Sequence, residues 1–219
     1  MPLSRLGRYR KESAMQFEVV LASASPRRRE LWEQAGVAFC VHAVDVDETL
    51  EPDDLAQPAE AVKKLAERKA HAAVEELLTD GYEGSMIVLG SDTMVALGSE
   101  VFGKPADRDQ AEHMLRTLSG RTHQVHTGVS VWMVHAPAGE DISLGFRSFT
   151  DTSDVTFRDV GEAELEAYLA TNEPYDKAGA YAVQGTAGKF VARVDGALDT
   201  VIGLPVERLL REFPDIPRG

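Results

Sequence analysis

Residues 17–28 read Phe17-Glu18-Val19-Val20-Leu21-Ala22-Ser23-Ala24-Ser25-Pro26-Arg27-Arg28, an apolar strand-like stretch to Ala22 running into a helix-like stretch that ends near Gly36. Pro26 suits the first helical position and Ser25 the N-cap. Arg27 and Arg28 then fall in the first turn, where the positive end of the helix dipole disfavours a cation unless an anion is also present. Backbone N–H groups at the helix start, the hydroxyls of Ser23 and Ser25, and guanidinium forks that each grip two phosphate oxygens would together make an anion cradle. A capped helix with solvated arginines fits the same residues equally well.

The chain has 219 residues, enough for one well-buried α/β domain or two small lobes sharing a cleft. One folding unit over 15–219 is expected, behind a flexible N-terminal extension over 1–14. The hydrophobic fraction is 43%, and no apolar run approaches the roughly 18–20 residues that a bilayer requires, so a soluble protein with no membrane partner is expected, and the low cysteine usage adds the expectation of a reducing cytoplasm. Arg5, Arg8, Arg10 and Lys11 precede no apolar segment, which argues against a secretory signal, and Met15 is an alternative start. The single cysteine, Cys40, lies in the alternation Val37 to Val44 and is expected in the core; it excludes a disulfide within this chain. Acidic residues outnumber basic ones by 36 to 23, which excludes a sequence-independent grip on polymeric nucleic acid but not a small anionic ligand held by a few focused cations.

Patterning predicts a strand over 17–22, a helix over 26–35 and a strand over 38–44. A Pro- and acid-rich turn from Asp45 to Pro58 then closes into a long helix over 59–79, with Ala61, Leu65, Ala66, Ala72, Ala73, Leu77 and Leu78 on its apolar face. A buried strand over Met86 to Gly90 is expected to end at Ser91-Asp92-Thr93, followed by a short hairpin of residues 94–97 and 100–102. A second amphipathic helix follows over 107–118. Long antiparallel strands over 122–134 and 142–157, a helix over 162–171, a Gly-rich piece from Gly179 to Gly188, a strand over 190–194 and a helix after Pro205 complete the chain.

Several residues could carry chemistry. Asp92, expected just beyond a strand, is where side chains of an α/β sheet emerge into a ligand crevice, although a turn aspartate bonding its own backbone is the commoner fate. Lys104, between Gly103 and Pro105, could be aimed by a rigid loop. Glu48, in Asp45-Val46-Asp47-Glu48, offers hard oxygens to a divalent cation, and Lys69 lies on the following helix. Each has a bland alternative as a solvated residue. Taken with the arginines, their order supplies what triphosphate hydrolysis needs: cations for phosphates and carboxylates for metal and water. His123 and His126 point to opposite faces of a strand and the other histidines are scattered, so no histidine metal site is expected. Neither a P-loop nor a dinucleotide-binding glycine fingerprint is present.

The chain resembles the Maf family of nucleoside triphosphate pyrophosphatases. The resemblance rests on Leu21 to Arg28, Asp47-Glu48, Ala66-Glu67-Arg68-Lys69-Ala70, Gly90-Ser91-Asp92-Thr93, Gly103-Lys104-Pro105, Leu118-Ser119-Gly120, Thr127-Gly128-Val129, Glu173 to Tyr181, Gln184-Gly185 and Gly203-Leu204-Pro205, all in family order. It implies an α/β fold with a long mixed, partly antiparallel sheet, flanking helices and two lobes around a cleft, similar to inosine-triphosphate pyrophosphatases, and often a homodimer. It also implies cleavage of a nucleoside triphosphate to monophosphate and pyrophosphate with a divalent cation, Mg²⁺ or Mn²⁺. By position, Asp92 matches the general base, Arg28, Lys69 and Lys104 the phosphate-binding cations, and Ser23 the phosphate-loop serine, with Ser25 beside it. Glu48 matches an essential carboxylate, and Glu48 and Asp92 are the expected metal ligands. Arg27, Thr93 and Gln184 match the branch acting on dTTP and UTP rather than 7-methyl-GTP. Two functions stay open: a housecleaning pyrophosphatase, and a nucleotide-binding regulator of septum formation whose hydrolysis is incidental.

Overall fold

The structure is a computed structural model and describes residues 17–218; the extension over 1–14 and Met15 lie outside the described residues. Its elements run β1 (Glu18–Leu21), α1 (Pro26–Gln34), β2 (Cys40–Val41), α2 (Pro52–Leu55), α3 (Pro58–Thr79), β3 (Gly84–Leu97), β4 (Glu100–Phe102), α4 (Arg108–Leu118), β5 (Thr122–Ala136), β6 (Ser143–Phe157) and α5 (Glu162–Leu169). Three short 3₁₀ turns, Glu173–Asp176, Ala178–Ala180 and Thr186–Phe190, lead to β7 (Val191–Asp195), α6 (Leu198–Ile202) and α7 (Val206–Glu212). The expected mixed sheet is present, ordered β2-β1-β3-β5-β6-β7, with β4 also on β3. Strand β1 is parallel to β2 and β3, and the other pairings are antiparallel.

Strand β3 corrects the sequence reading. It does not stop at Gly90 but runs on through Ser91, Asp92 and Thr93 to Leu97, so Asp92 is a mid-strand residue rather than one beyond a strand end. The polar triplet does not break the strand because β5 pairs with it from Gly84↔Ala136 to Ala96↔Gln124, which satisfies one whole backbone edge. Since β5 occupies that edge, β1 and β4 must share the other. There β1 takes Met86 to Leu89 and β4 takes Val95 to Leu97, so residues 90–94 have no strand partner on that side among the described residues. That gap separates two apolar lobes. One contains Val19, Leu21, Trp32, Ile87 and Leu89; the other gathers Phe102, Leu115, Leu118, Phe157, Tyr168 and Phe190.

Other differences are local. The strand expected over 38–44 shrinks to two residues because its only partner, β1, is itself four residues long. Cys40 on that outer strand is exposed, not core, and lies 3.5 Å from Glu18 Oε1. Helix α6 is absent from the sequence reading because Leu198-Asp199-Thr200-Val201-Ile202 is short and rich in β-branched residues.

Helix α3 lies against the sheet backbone. It turns Ala66, Ala70 and Ala73 inward, all fully buried, with Ala66 and Ala70 seated on Gly90 and the backbone of Val62 and Lys63 on Gly128. A methyl group on Gly90 would stand 2.2 Å from the Ala66 carbonyl oxygen, and one on Gly128 2.3 Å from that of Val62. Small residues on both sides are what allow this approach. Gly90→Ala and Gly128→Ala are each expected to destabilise the fold by about 1–3 kcal/mol or more through overpacking, seen as a lowered urea midpoint; unchanged midpoints would contradict so close a seat.

Candidate active site

Because α3 sits so close, the long side chain of Lys69 reaches across the sheet surface to the strand. Its Nζ is 2.6 Å from Asp92 Oδ1 and 2.6 Å from Glu48 Oε1, one ammonium between two carboxylates. The Lys69 side chain is only 13% exposed, so the charge is held in a low-dielectric setting where such pairs are strengthened. Glu48 comes from an irregular segment that has no strand or helix to hold it. Arg68 does the holding: its guanidinium donates to the carbonyls of Asp47 at 3.1 Å and Thr49 at 2.9 Å, on either side of Glu48. Adjacent residues of α3 thus fix the backbone of the loop and its carboxylate.

On the opposite face, Arg28 is held by three acceptors. Its Nε donates to the Gly203 carbonyl at 2.8 Å, one terminal nitrogen to Ser23 Oγ at 3.1 Å, and the other to Thr93 Oγ1 at 3.2 Å. The Gly203 carbonyl also accepts from Ser91 Oγ at 3.0 Å. Ser25 is the N-cap residue as expected, but its side chain makes no cap bond; its backbone N–H instead meets Ser23 Oγ at 3.3 Å. No side chain among the described residues caps this helix start, which leaves its N–H groups available to an anion.

Burial pushes the Arg28 guanidinium below its ordinary value, a shift that the Asp92 and Glu48 charges oppose and Arg27 adds to. Burial pushes the Glu48 carboxyl up, but the Lys69 hydrogen bond and the charges of Lys69, Lys104 and Arg28 outweigh it and hold the group below its usual value. Lys104 is exposed, and its loop is tied to the second lobe by the Gly179 N–H, which donates to the Gly103 carbonyl at 3.1 Å.

The structure therefore brings Glu48, Lys69 and Asp92 into contact, gathers Ser23, Arg28 and Thr93, and sets Lys104 within electrostatic reach of Glu48. It does not bring the three expected specificity residues into contact with one another. Arg27 faces Asp176 of the second lobe at 3.9 Å, Thr93 is engaged by Arg28 and Thr127, and Gln184 is exposed in the turn after Tyr181. The sequence reading missed Arg68 and the Gly203 carbonyl. The Arg next to Lys69 was a usable signal for the first, whereas a backbone carbonyl leaves none.

The Glu48 and Asp92 carboxylates each keep one oxygen that Lys69 does not engage. Hard oxygens of this kind, one or two in number and completed by substrate phosphates, suit Mg²⁺ or Mn²⁺. The histidines take no part: His123 is buried against Phe157 and Tyr181, and burial pushes its pKa down to about 4. Elsewhere, Glu112, Glu162 and Glu166 lie close together, but Arg108 and Arg116 already pair with them.

Comparison with known proteins supplies an independent line. Residues 18–216 match the family model described as Maf-like protein. A dTTP/UTP pyrophosphatase of Bacillus cereus is 40% identical over 204 residues, covering 93% of this chain and 92% of the relative. Those of Lachnoclostridium phytofermentans and Pelotomaculum thermopropionicum are 41% and 45% identical, covering 90% and 88% of this chain and 93% of each relative. Among solved structures, that of the Staphylococcus aureus Ham1 protein has 17% identity and a TM-score of 0.43, covering 90% of this chain and 98% of that one, a likeness too slight to carry an argument.

The depressed Glu48 carboxyl gives a direct check. Its charged form persists below the ordinary carboxylate pKa, so the pairing with Lys69 is complete above that value and is lost as pH falls through the depressed one. A carbon-detected NMR titration of Glu48 should show that low midpoint, and Lys69→Gln should move it upward. An unmoved midpoint would mean that Lys69 does not hold this carboxylate.

Proposed function

The chain belongs to the Maf-like protein family, and we propose that it hydrolyses dTTP and UTP at the α–β phosphoanhydride, releasing the nucleoside monophosphate and pyrophosphate. The observation that carries this reading is the Lys69 ammonium fixed between Asp92 and Glu48 on the stretch of β3 that lacks a neighbour, with Arg28 held behind it. Three cations, Arg28, Lys69 and Lys104, face two carboxylates there, so a chain of formal net charge −13 offers a local seat for polyphosphate.

In the proposed reaction the free N–H groups at the start of α1, with Ser23, Ser25 and Arg28, bind the phosphates, and Lys104 closes on them from the second lobe. Asp92, through the oxygen that Lys69 leaves free, accepts the proton of the attacking water; Lys69 orients that carboxylate and stabilises the charge that develops on the phosphates. Glu48, through the oxygen that Lys69 leaves free, would hold Mg²⁺ or Mn²⁺, whose chemistry there is to neutralise phosphate oxygens. Arg27, Thr93 and Gln184 form the proposed base-selective set; the Gln184 amide can present both a donor and an acceptor to a pyrimidine edge. The reading extends to a cytoplasmic homodimer. No helix among the described residues is long and apolar enough to cross a membrane. Among the described residues the outer edge of β6 is unpaired over 143–153 and exposes Leu144 and Phe146, 53% and 56% accessible, which supports self-association.

A nucleotide panel with Mg²⁺, scored for pyrophosphate, tests the function. The kcat/KM for dTTP and UTP should exceed that for GTP and 7-methyl-GTP by at least ~10-fold, the scale set by a polar group left unpaired by the wrong base. A best rate on 7-methyl-GTP would overturn the substrate branch, and no pyrophosphate from any nucleotide would overturn the enzyme. Asp92→Asn should retain triphosphate binding while kcat falls at least ~100-fold, as expected when a positioned proton acceptor is lost. Arg28→Ala should cost roughly 2–4 kcal/mol of transition-state stabilisation, and near-parental turnover would remove Arg28 from the phosphate site.

A further inference from the structure

Cross-strand register sets Thr93 of β3 beside Thr127 of β5, and Thr127 beside Asp151 of β6. Thr127 is completely buried, and its Oγ1 lies 2.7 Å from the Thr200 carbonyl oxygen. A carbonyl only accepts, so the single hydroxyl proton of Thr127 is committed there. The 3.0 Å contact between the Thr93 and Thr127 hydroxyls must then take its proton from Thr93. With that proton spent, the Thr93 oxygen can meet the Arg28 guanidinium, 3.2 Å away, only as an acceptor. This is the polarity that a guanidinium requires, because it has donors and no acceptor.

We infer that Thr127 is a positioning residue for phosphate binding: it fixes the direction of the Thr93 hydroxyl, which in turn holds Arg28. The inference rests on the proposed hydrolase reading for its kinetic consequence, though not for its geometry. Its anchor lies beyond Thr127. The Thr200 hydroxyl donates to Asp151 Oδ2 at 2.5 Å, and the Thr200 N–H donates to Asp199 Oδ1 at 2.9 Å. Arg208 clamps the other Asp151 oxygen at 2.7 Å. The accepting carbonyl is therefore fixed by a charged pair on the far side of the sheet from Lys69.

Helix α6 supplies a second acceptor three residues on, since the Gly203 carbonyl takes the Arg28 Nε–H. Gly203 has φ +122°, and a methyl group there would stand 3.1 Å from Thr93 Oγ1 and 3.5 Å from Arg28 Nε, so the residue gives both groups room. Of the five N–H bonds of Arg28, the fold engages three, one on each nitrogen. Among the described residues each terminal nitrogen keeps one bond without a partner, and those two form the fork that a phosphate would meet. If Thr127 released the Thr93 proton, that proton could rotate toward Arg28 and set donor against donor, which would turn the fork.

The test uses the full chain with UTP and Mg²⁺ and four variants: Thr127→Val, Thr127→Ser, Thr93→Val and the double valine. Thr127→Val should lower kcat by about 10-fold with a smaller change in KM, while Thr127→Ser, which keeps the hydroxyl, stays within about twofold of the parent. The double valine should be no slower than Thr93→Val alone, because both act through one chain of bonds. Side-chain N–H signals of Arg28 in nitrogen-15-labelled protein give a readout independent of turnover: they should shift and broaden in Thr127→Val and be retained in Thr127→Ser. Arg28 signals untouched by Thr127→Val, equal losses in the serine and valine variants, or additive valine effects would each overturn the inference. A parent without turnover whose Arg28 signals respond as expected would sink the hydrolase reading and leave the relay standing.

Discussion

The contact of α3 with bare sheet backbone at Gly90 and Gly128 is the constraint from which the site follows. Had either position carried a side chain, the helix would have to stand farther off, and the Lys69 ammonium would no longer reach Asp92 and Glu48 together. The same seat lets Arg68, the neighbour of Lys69, grip the backbone around Glu48. A helix on small residues thereby holds both the cation and one of the anions with little freedom, and keeping charged groups in place before a ligand arrives is what makes electrostatic stabilisation effective.

Consecutive residues of β3 serve the two faces of the sheet. Asp92 points toward α3 and its lysine; Thr93 and Ser91 point toward the Arg28 and α6 side. This division of acid–base and phosphate-binding groups follows from the period of two along a strand. It works because β1 and β4, among the described residues, leave 90–94 without a strand partner on the edge away from β5.

Much of this was legible in the sequence, for physical reasons that differ by element. Helix α1, the long strands β5 and β6, and the reach of α3 to Thr79 followed from periodicity and from the Ser25-Pro26 start. The continuation of β3 through Ser91-Asp92-Thr93 did not, because a polar triplet reads as a break and only the distant partner β5 keeps it extended. Cys40 was misplaced for a related reason: alternation marks a strand but does not tell an outer strand from a central one. Among the candidates, Glu48, Lys69 and Asp92, which the structure brings into contact, stood in the sequence as residue types in a telling order. The Thr127–Thr200 link was not, since it joins a hydroxyl to a carbonyl across 73 residues of chain.

Strands β3, β5 and β6 pass without interruption beneath the cleft, with Asp92, Gly128 and Thr150 side by side in the ladder. Bending at that line would break cross-strand hydrogen bonds in several rows at once, so the two lobes have no hinge of the kind that separate domains possess. The segments outside this ladder, such as the Gly103-Lys104-Pro105 loop and the 3₁₀ turns over 173–190, carry no such cross-strand constraint. A ligand that meets Asp92 finds the floor already built, and little of its affinity is spent on bringing two bodies together.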